Sequence, residues 1–172
     1  MLSLTYNSPG PIASAFIRER ASMSLIMGPI GSGKSVACIM KILAFCAKQR
    51  KGPGGYRRSK WAVVRNTKEQ LKDTTIATWF QWLYPHSSIT ACDGWGRWKE
   101  VERTFSLEFD DVRADILFRA LDKPEDISKL LSLELTGAWF NECREIDVSL
   151  FKRTYERCGR YPSVRDGGSA WS

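Results

Sequence analysis

Residues 28–35 read Gly28-Pro29-Ile30-Gly31-Ser32-Gly33-Lys34-Ser35. Few octapeptides constrain a fold as tightly. Gly28 and Gly33 permit backbone angles that a Cβ would forbid, so successive N–H groups can turn inward on an anion. Lys34 brings a mobile point charge suited to phosphate oxygens. Ser35 offers a hydroxyl of the kind that ligates Mg²⁺, and a helix starting here aims its partial positive charge at the same anion. The pattern is a phosphate-binding loop in which every one of Gly28, Pro29, Ile30, Gly31, Ser32, Gly33, Lys34 and Ser35 lies along the ligand, and it requires a strand before it and a helix after it.

The flanking residues supply both. Ser24-Leu25-Ile26-Met27 is a short apolar run of the kind expected of a buried strand. Residues 36–46 are mostly good helix formers, and the helix is expected to reach about Gln49.

A chain of 172 residues with 43% hydrophobic content can bury a core as one domain spanning 1–172. No apolar run approaches membrane-span length, and the first residues lack the pattern of a signal peptide. Five cysteines, none in a C-x-x-C pair, point to reduced intracellular thiols and not to a metal site. The charge is lopsided. Residues 1–72 hold 13 Lys/Arg and 2 Asp/Glu, whereas 73–172 hold 13 and 17. Phosphates of one nucleotide do not need such an excess, so nucleic acid is the natural second partner, with a merely solubilising basic face as the alternative.

Further along, 12–20 reads as a short helix after the Pro9-Gly10-Pro11 break. Residues 50–60 read as a flexible basic surface loop carrying Tyr56, and 61–65 as a second buried strand. Thr67 can cap the next helix, with Gln70 placed for a capping box. That helix carries Leu71, Ile76, Trp79, Phe80 and Leu83 as core residues and ends near Pro85. A turn at 93–96 precedes two strands, 101–109 and 112–121, joined at Asp110-Asp111 as a hairpin. Lys123-Pro124-Glu125-Asp126 opens a short helix, 133–140 reads as a strand, and Asp147 caps a last helix to about Arg157. Another strand is expected to begin near Ala170.

Strands alternating with helices predict an α/β fold: a mainly parallel sheet flanked by helices, with a β-hairpin insertion near 100–121. Ligands of such sheets sit beyond the carboxyl ends of the strands, where Lys34, Arg65 and Glu142 all fall. Nucleotide hydrolysis needs a group that orients Mg²⁺ and one that polarises water. Glu142 is the candidate for the second. Asn141 stands where Asp is usual, and its amide oxygen can hold a metal-bound water without contributing charge.

These segments in order, 27–35, 61–67 followed by 70–76 and Trp79, 133–142 with 144–146, and 159–163 with 166–168, resemble the ATPase half of a tailed-phage terminase large subunit. The resemblance implies a P-loop NTPase fold, ATP and Mg²⁺ as cofactors, and Glu142 as the catalytic carboxylate. It also implies partners: double-stranded DNA pumped into a procapsid, the portal, a small terminase subunit and sister subunits of a homo-oligomeric ring. The setting would be the host cytoplasm, with no membrane. The family's coupling motif and nuclease domain have no counterpart here. The resemblance therefore implies a shortened chain that does not cut DNA and whose turnover is reduced. Lys129 lies where such rings often carry a basic finger that acts on the neighbour's site, and Arg65 could sense phosphate within its own subunit. Tyr6 and Phe16 could stack on adenine or simply pack the core, and His86 has no assignable role. Two alternatives remain: a non-catalytic nucleotide- or DNA-binding fragment, and a small P-loop phosphotransferase.

Overall fold

The computed structural model describes residues 5–83, 96–163 and 165. The anticipated turn at 93–95, Pro85, His86, Cys92, the 166–168 segment and the strand near Ala170 lie outside them. Its centre is β1, Arg57–Arg65. On one side β1 pairs in parallel with β4, Val112–Ala120, along its whole length. On the other it pairs in parallel with β5, Gly137–Phe140, through residues 61–64. Two antiparallel strands complete the sheet: β2 (Gly96–Lys99) and β3 (Thr104–Phe109), in the order β2-β3-β4-β1-β5. The sheet is thus mixed and not mainly parallel. The hairpin is no insertion, because its second strand, β4, is the direct neighbour of β1. The tight turn at Asp110-Asp111 forces β3 antiparallel, and Asp110 takes the left-handed conformation (φ 44°) that Asp tolerates better than most residues.

Among the described residues, six α-helical segments flank the sheet. They are α1 (Pro11–Arg18), α2 (Lys34–Lys48), α3 (Lys68–Gln70), α4 (Ala77–Leu83), α5 (Pro124–Leu131) and α6 (Val148–Tyr155). Thr67 Oγ1 accepts from Gln70 N–H at 3.2 Å, and the Asp147 carboxylate accepts from Ser149 N–H at 2.7 Å, so both anticipated caps form. The returning half of the capping box does not form, since Gln70 Oε1 is buried without a hydrogen bond. Between α3 and α4 runs a π-helical stretch, Leu71–Ile76, marked by Ala77 N–H donating to Lys72 O. Its reason is in the sequence. Leu71 and Ile76 are five apart, an interval that an α-helix would send to different faces, and the wider π turn buries both.

One core lies between the sheet and α2 with α4. Trp79 there makes edge contacts with Phe105 and Phe118, and Phe80 with Trp98. A second core joins Ala62 and Val64 of β1 to Leu130, Leu131, Ile146 and Leu150 beneath α5 and α6. Among the described residues no helix is long and apolar enough to cross a membrane.

Three further expectations need correction. Residues 24–27 form no strand. Leu25 and Met27 are exposed, and β5 is left as the sheet's edge. The segment is held elsewhere: Ser24 Oγ and the Phe16 carbonyl both accept from the buried Lys41 Nζ, each at 2.7 Å, which ties it to α1 and α2. Residues 50–60 are not a flexible loop. Gly52 N–H donates to Tyr56 O and Gly55 N–H to Gly52 O, closing a tight turn with Gly55 at φ 76°, and β1 already begins at Arg57. Asp111 pins this turn, taking Lys51 Nζ at 2.7 Å and Arg57 Nε at 3.1 Å. Finally, the strand expected over 133–140 shortens to four residues, and Thr136 just before it links two other segments: its N–H donates to Lys60 O, and its Oγ1 accepts from Lys60 N–H and donates to Tyr161 O.

Candidate functional site

The 28–35 loop leads directly into α2. Gly33, at φ 78°, is the residue before the helix, and Gly31 stands at φ 79°; both angles strain any side chain with a Cβ. Lys34 folds back inside the loop, its Nζ donating to Gly28 O at 2.8 Å and Pro29 O at 2.6 Å. Ser32 Oγ donates to the same Pro29 carbonyl at 2.8 Å. The ammonium thus sits among carbonyls that an anion's oxygens could replace. Ile30 is exposed, and Ser35 is half-buried in the helix's first turn.

Packing sets where this loop stands against the sheet. Ser59 Oγ donates to Cys46 Sγ at 3.2 Å, and Phe45 tilts against Trp61 with ring centroids 5.8 Å apart. The late turns of α2 therefore lie by the start of β1. From Cys46 back to Lys34 is about 18 Å of helix, and from Ser59 on to Arg65 is about 20 Å of strand. The two lengths are similar; among the described residues no hydrogen bond or ion pair joins the 28–35 loop to Arg65, Asn141 or Glu142.

That end carries a connected polar group. Arg65 is buried. Its Nη1 donates to Asn141 O at 3.2 Å and lies 3.8 Å from Glu145 Oε2, while its Nε has no hydrogen-bond partner. Asn141 N–H donates to Val64 O at 2.9 Å, and its side-chain Nδ2 donates to Thr75 Oγ1 at 2.9 Å, leaving the amide oxygen as the group available to a metal-bound water. Glu142 follows in the left-handed region (φ 54°, ψ 54°), at the head of a 3₁₀ turn, Cys143–Glu145. A non-glycine residue held there stores strain of about 1–3 kcal/mol, and such residues cluster at functional sites. Arg144 Nε lies 3.6 Å from Glu142 Oε2, across a largely solvated gap.

Of the residues chosen from sequence, the fold connects Arg65 with Asn141 and sets Glu142 next in the chain. Lys129 is exposed in the last turn of α5 and forms no ion pair among the described residues. Tyr6 and Phe16 are occupied by packing: Tyr6 meets Trp82 edge-on at 5.7 Å, and Phe16 lies beneath Lys41 Nζ at 4.3 Å. Thr75, Glu145 and Lys41 were missed. For Thr75 the signal was the five-residue interval from Leu71 to Ile76; an isolated polar residue such as Glu145 or Lys41 carries none. Burial holds the Lys41 ammonium below its ordinary pKa and pushes the Cys38 thiol up to about 12, so Cys38 stays protonated. Among the described residues no group of three or more His, Cys, Asp or Glu could hold a metal.

Comparison with protein-family models, curated proteins and solved structures finds no match.

Proposed function

We propose that this chain is an ATP-binding and ATP-hydrolysing motor domain of the terminase large-subunit kind, with a P-loop NTPase fold, which drives double-stranded DNA into a viral procapsid. The observation that carries the reading is the 28–35 loop itself, with left-handed Gly31 and Gly33 opening directly into a 15-residue helix. Lys34, whose Nζ donates to two loop carbonyls, would hold the phosphate oxygens, and the Ser35 hydroxyl would be a ligand for Mg²⁺. The bound ATP–Mg²⁺ supplies the transferable phosphoryl group and neutralises its charge. Glu142 takes a proton from the attacking water. Asn141, fixed through Thr75 and Arg65, would orient a water of the Mg²⁺ ion through its amide oxygen, and the Nε of Arg65 would be a donor for phosphate. Lys129, exposed on α5, serves a neighbouring subunit of the ring.

The test is Mg²⁺-dependent ATP hydrolysis, with and without double-stranded DNA, by the wild-type chain and its Lys34→Ala variant. Turnover stimulated by DNA and lowered by about 10²–10³ in the variant supports the motor reading. Nucleotide binding without turnover favours a second reading, a binding fragment. One observation speaks for it: residues 24–27 lie outside the sheet, so no strand anchors the loop from its N-terminal side.

A further inference from the structure

Among the described residues, one face of the sheet is only partly covered by helices. Direct partners across strands share a face. One row therefore runs Arg97, Ser106, Asp115, Lys60 over β2, β3, β4 and β1, and the next runs Glu108, Arg113, Arg58. Lys99 joins the same face two residues beyond Arg97. All of these side chains are exposed or half-buried, whereas α5 and α6 cover the apolar residues Ala62 and Val64 nearer the other end of β1. Between the rows lies a groove of about 350 Å³ with Tyr56 and Tyr161 among its walls.

We infer that this face binds the sugar–phosphate backbone of double-stranded DNA. The choice of duplex over other polyanions rests on the motor reading above; the rest stands on this face. Five cations (Arg58, Lys60, Arg97, Lys99 and Arg113) meet two carboxylates. Asp115 is engaged by Ser106 Oγ at 2.9 Å, and Glu108 reaches Arg113 only at 3.9 Å from an exposed position. Aromatic rings hold two of the cations without neutralising them: the Arg113 guanidinium lies 4.7 Å from the Tyr56 ring centre and Lys60 Nζ lies 4.3 Å from that of Tyr161. The neighbouring cations Lys51 and Arg57 are instead consumed by Asp111. Strand spacing puts Arg97 about 14 Å from Lys60, and Arg58 about 7 Å from Lys60. A patch of that size spans roughly four nucleotide steps of one strand. Arg58 and Lys60 open β1 and Arg65 closes it, so DNA and nucleotide occupy opposite ends of one strand and do not compete.

The experiment measures binding of a short fluorescent DNA duplex between about 50 and 200 mM salt, with binding of a fluorescent ATP analogue measured in parallel. Arg58→Gln/Lys60→Gln/Arg113→Gln is expected to weaken duplex binding about tenfold and to lower the salt slope by about 2 to 3, roughly 0.9 for each phosphate that the protein no longer neutralises. Arg97→Gln/Lys99→Gln, altered only at exposed positions of the edge strand, is expected to lower it by about 2. Lys48→Gln/Lys152→Gln/Arg153→Gln removes the same charge from exposed helix positions and should change little. Absence of duplex binding by the wild-type chain, equal losses in the face and control variants, or preference for single strands would overturn the inference. Loss of ATP binding with DNA binding intact would overturn the motor reading and leave this face standing; the converse would do the reverse.

Discussion

On the side of the sheet toward α2 and α4, Trp79, Phe105 and Phe118 are sealed from solvent in an aromatic cluster, with Trp98 and Phe80 at its edge. On the other side, the helices among the described residues cover the strip beneath α5 and α6, and beyond it runs a row of charged and hydroxyl side chains. The same strands make both, because alternate residues of each point to opposite faces. The difference shows a division of labour. The larger core lies on one face, and the other keeps a smaller apolar strip beneath α5 and α6 and carries charge beyond it.

The sharpest way to break this contrast is to exchange the two faces' roles in an unfolding measurement. Trp79→Ala removes a fully buried ring that meets Phe105 at 5.9 Å and Phe118 at 5.6 Å, and should cost about 3–5 kcal/mol in denaturant unfolding. Arg97→Ala, on the open face, should stay within about 0.5 kcal/mol of wild type. Comparable losses at the two positions would mean that the open face is structural after all, and would remove the ground for assigning it to a ligand.

A smaller effect is expected where β5 joins the sheet. A Cβ on Gly137 would lie 2.4 Å from Trp61 Cζ3, and that ring is itself packed against Phe45. Gly137→Ala should therefore cost about 1–3 kcal/mol through overpacking. It should also lower any ATP turnover, since β5 delivers Asn141 and Glu142. Unchanged stability would mean that the ring moves freely, and that the sealed face is looser than its burial implies.

How much of this could be read beforehand depended on how local the cause was. The left-handed angle of Gly33, the caps at Thr67 and Asp147 and the turn at Asp110-Asp111 are set by neighbours in the chain and were legible, whereas the second left-handed glycine of the loop is Gly31 and not the expected Gly28. The five candidate core residues of the helix after Thr67 are buried as expected, although the sequence reading took the π turn that accommodates them for ordinary helix. Segments whose placement depends on distant partners were misread. Leu25-Ile26-Met27 has the apolarity of a strand, but Lys41, seventeen residues beyond Ser24, draws it aside. The basic stretch at 50–60 looked loose because its anchor, Asp111, is more than fifty residues away. At the site, the strand-end placement of Arg65 and Glu142 followed from the pattern of elements. The link from Asn141 to Thr75 did not, since no periodicity marks a pair 66 residues apart.

The smallest expected effect tests the Asp111 anchor. The Asp111 carboxylate is held below the usual carboxylate range, first by its hydrogen bond from Lys51 and then by Arg57, against some cost of desolvation. As pH falls, the unfolded chain takes up this proton before the folded one. The contribution of Asp111 is thus complete above the ordinary carboxylate pKa and disappears as pH drops through the lower folded value. Asp111→Asn should be slightly less stable than wild type at neutral pH and low salt, and the two should converge in acid. The gap should also narrow with added salt, because the pair is largely solvated. A gap that persists unchanged into acid would show that the Asp111 side chain acts through the shape and hydrogen bonding of its carboxyl, which accepts from Arg57 Nε at 3.1 Å, and not through its charge. In that case the split of the basic stretch into consumed and displayed cations would lose its electrostatic basis, and Lys51 and Arg57 would belong with Arg58 and Lys60 on the open side of the comparison.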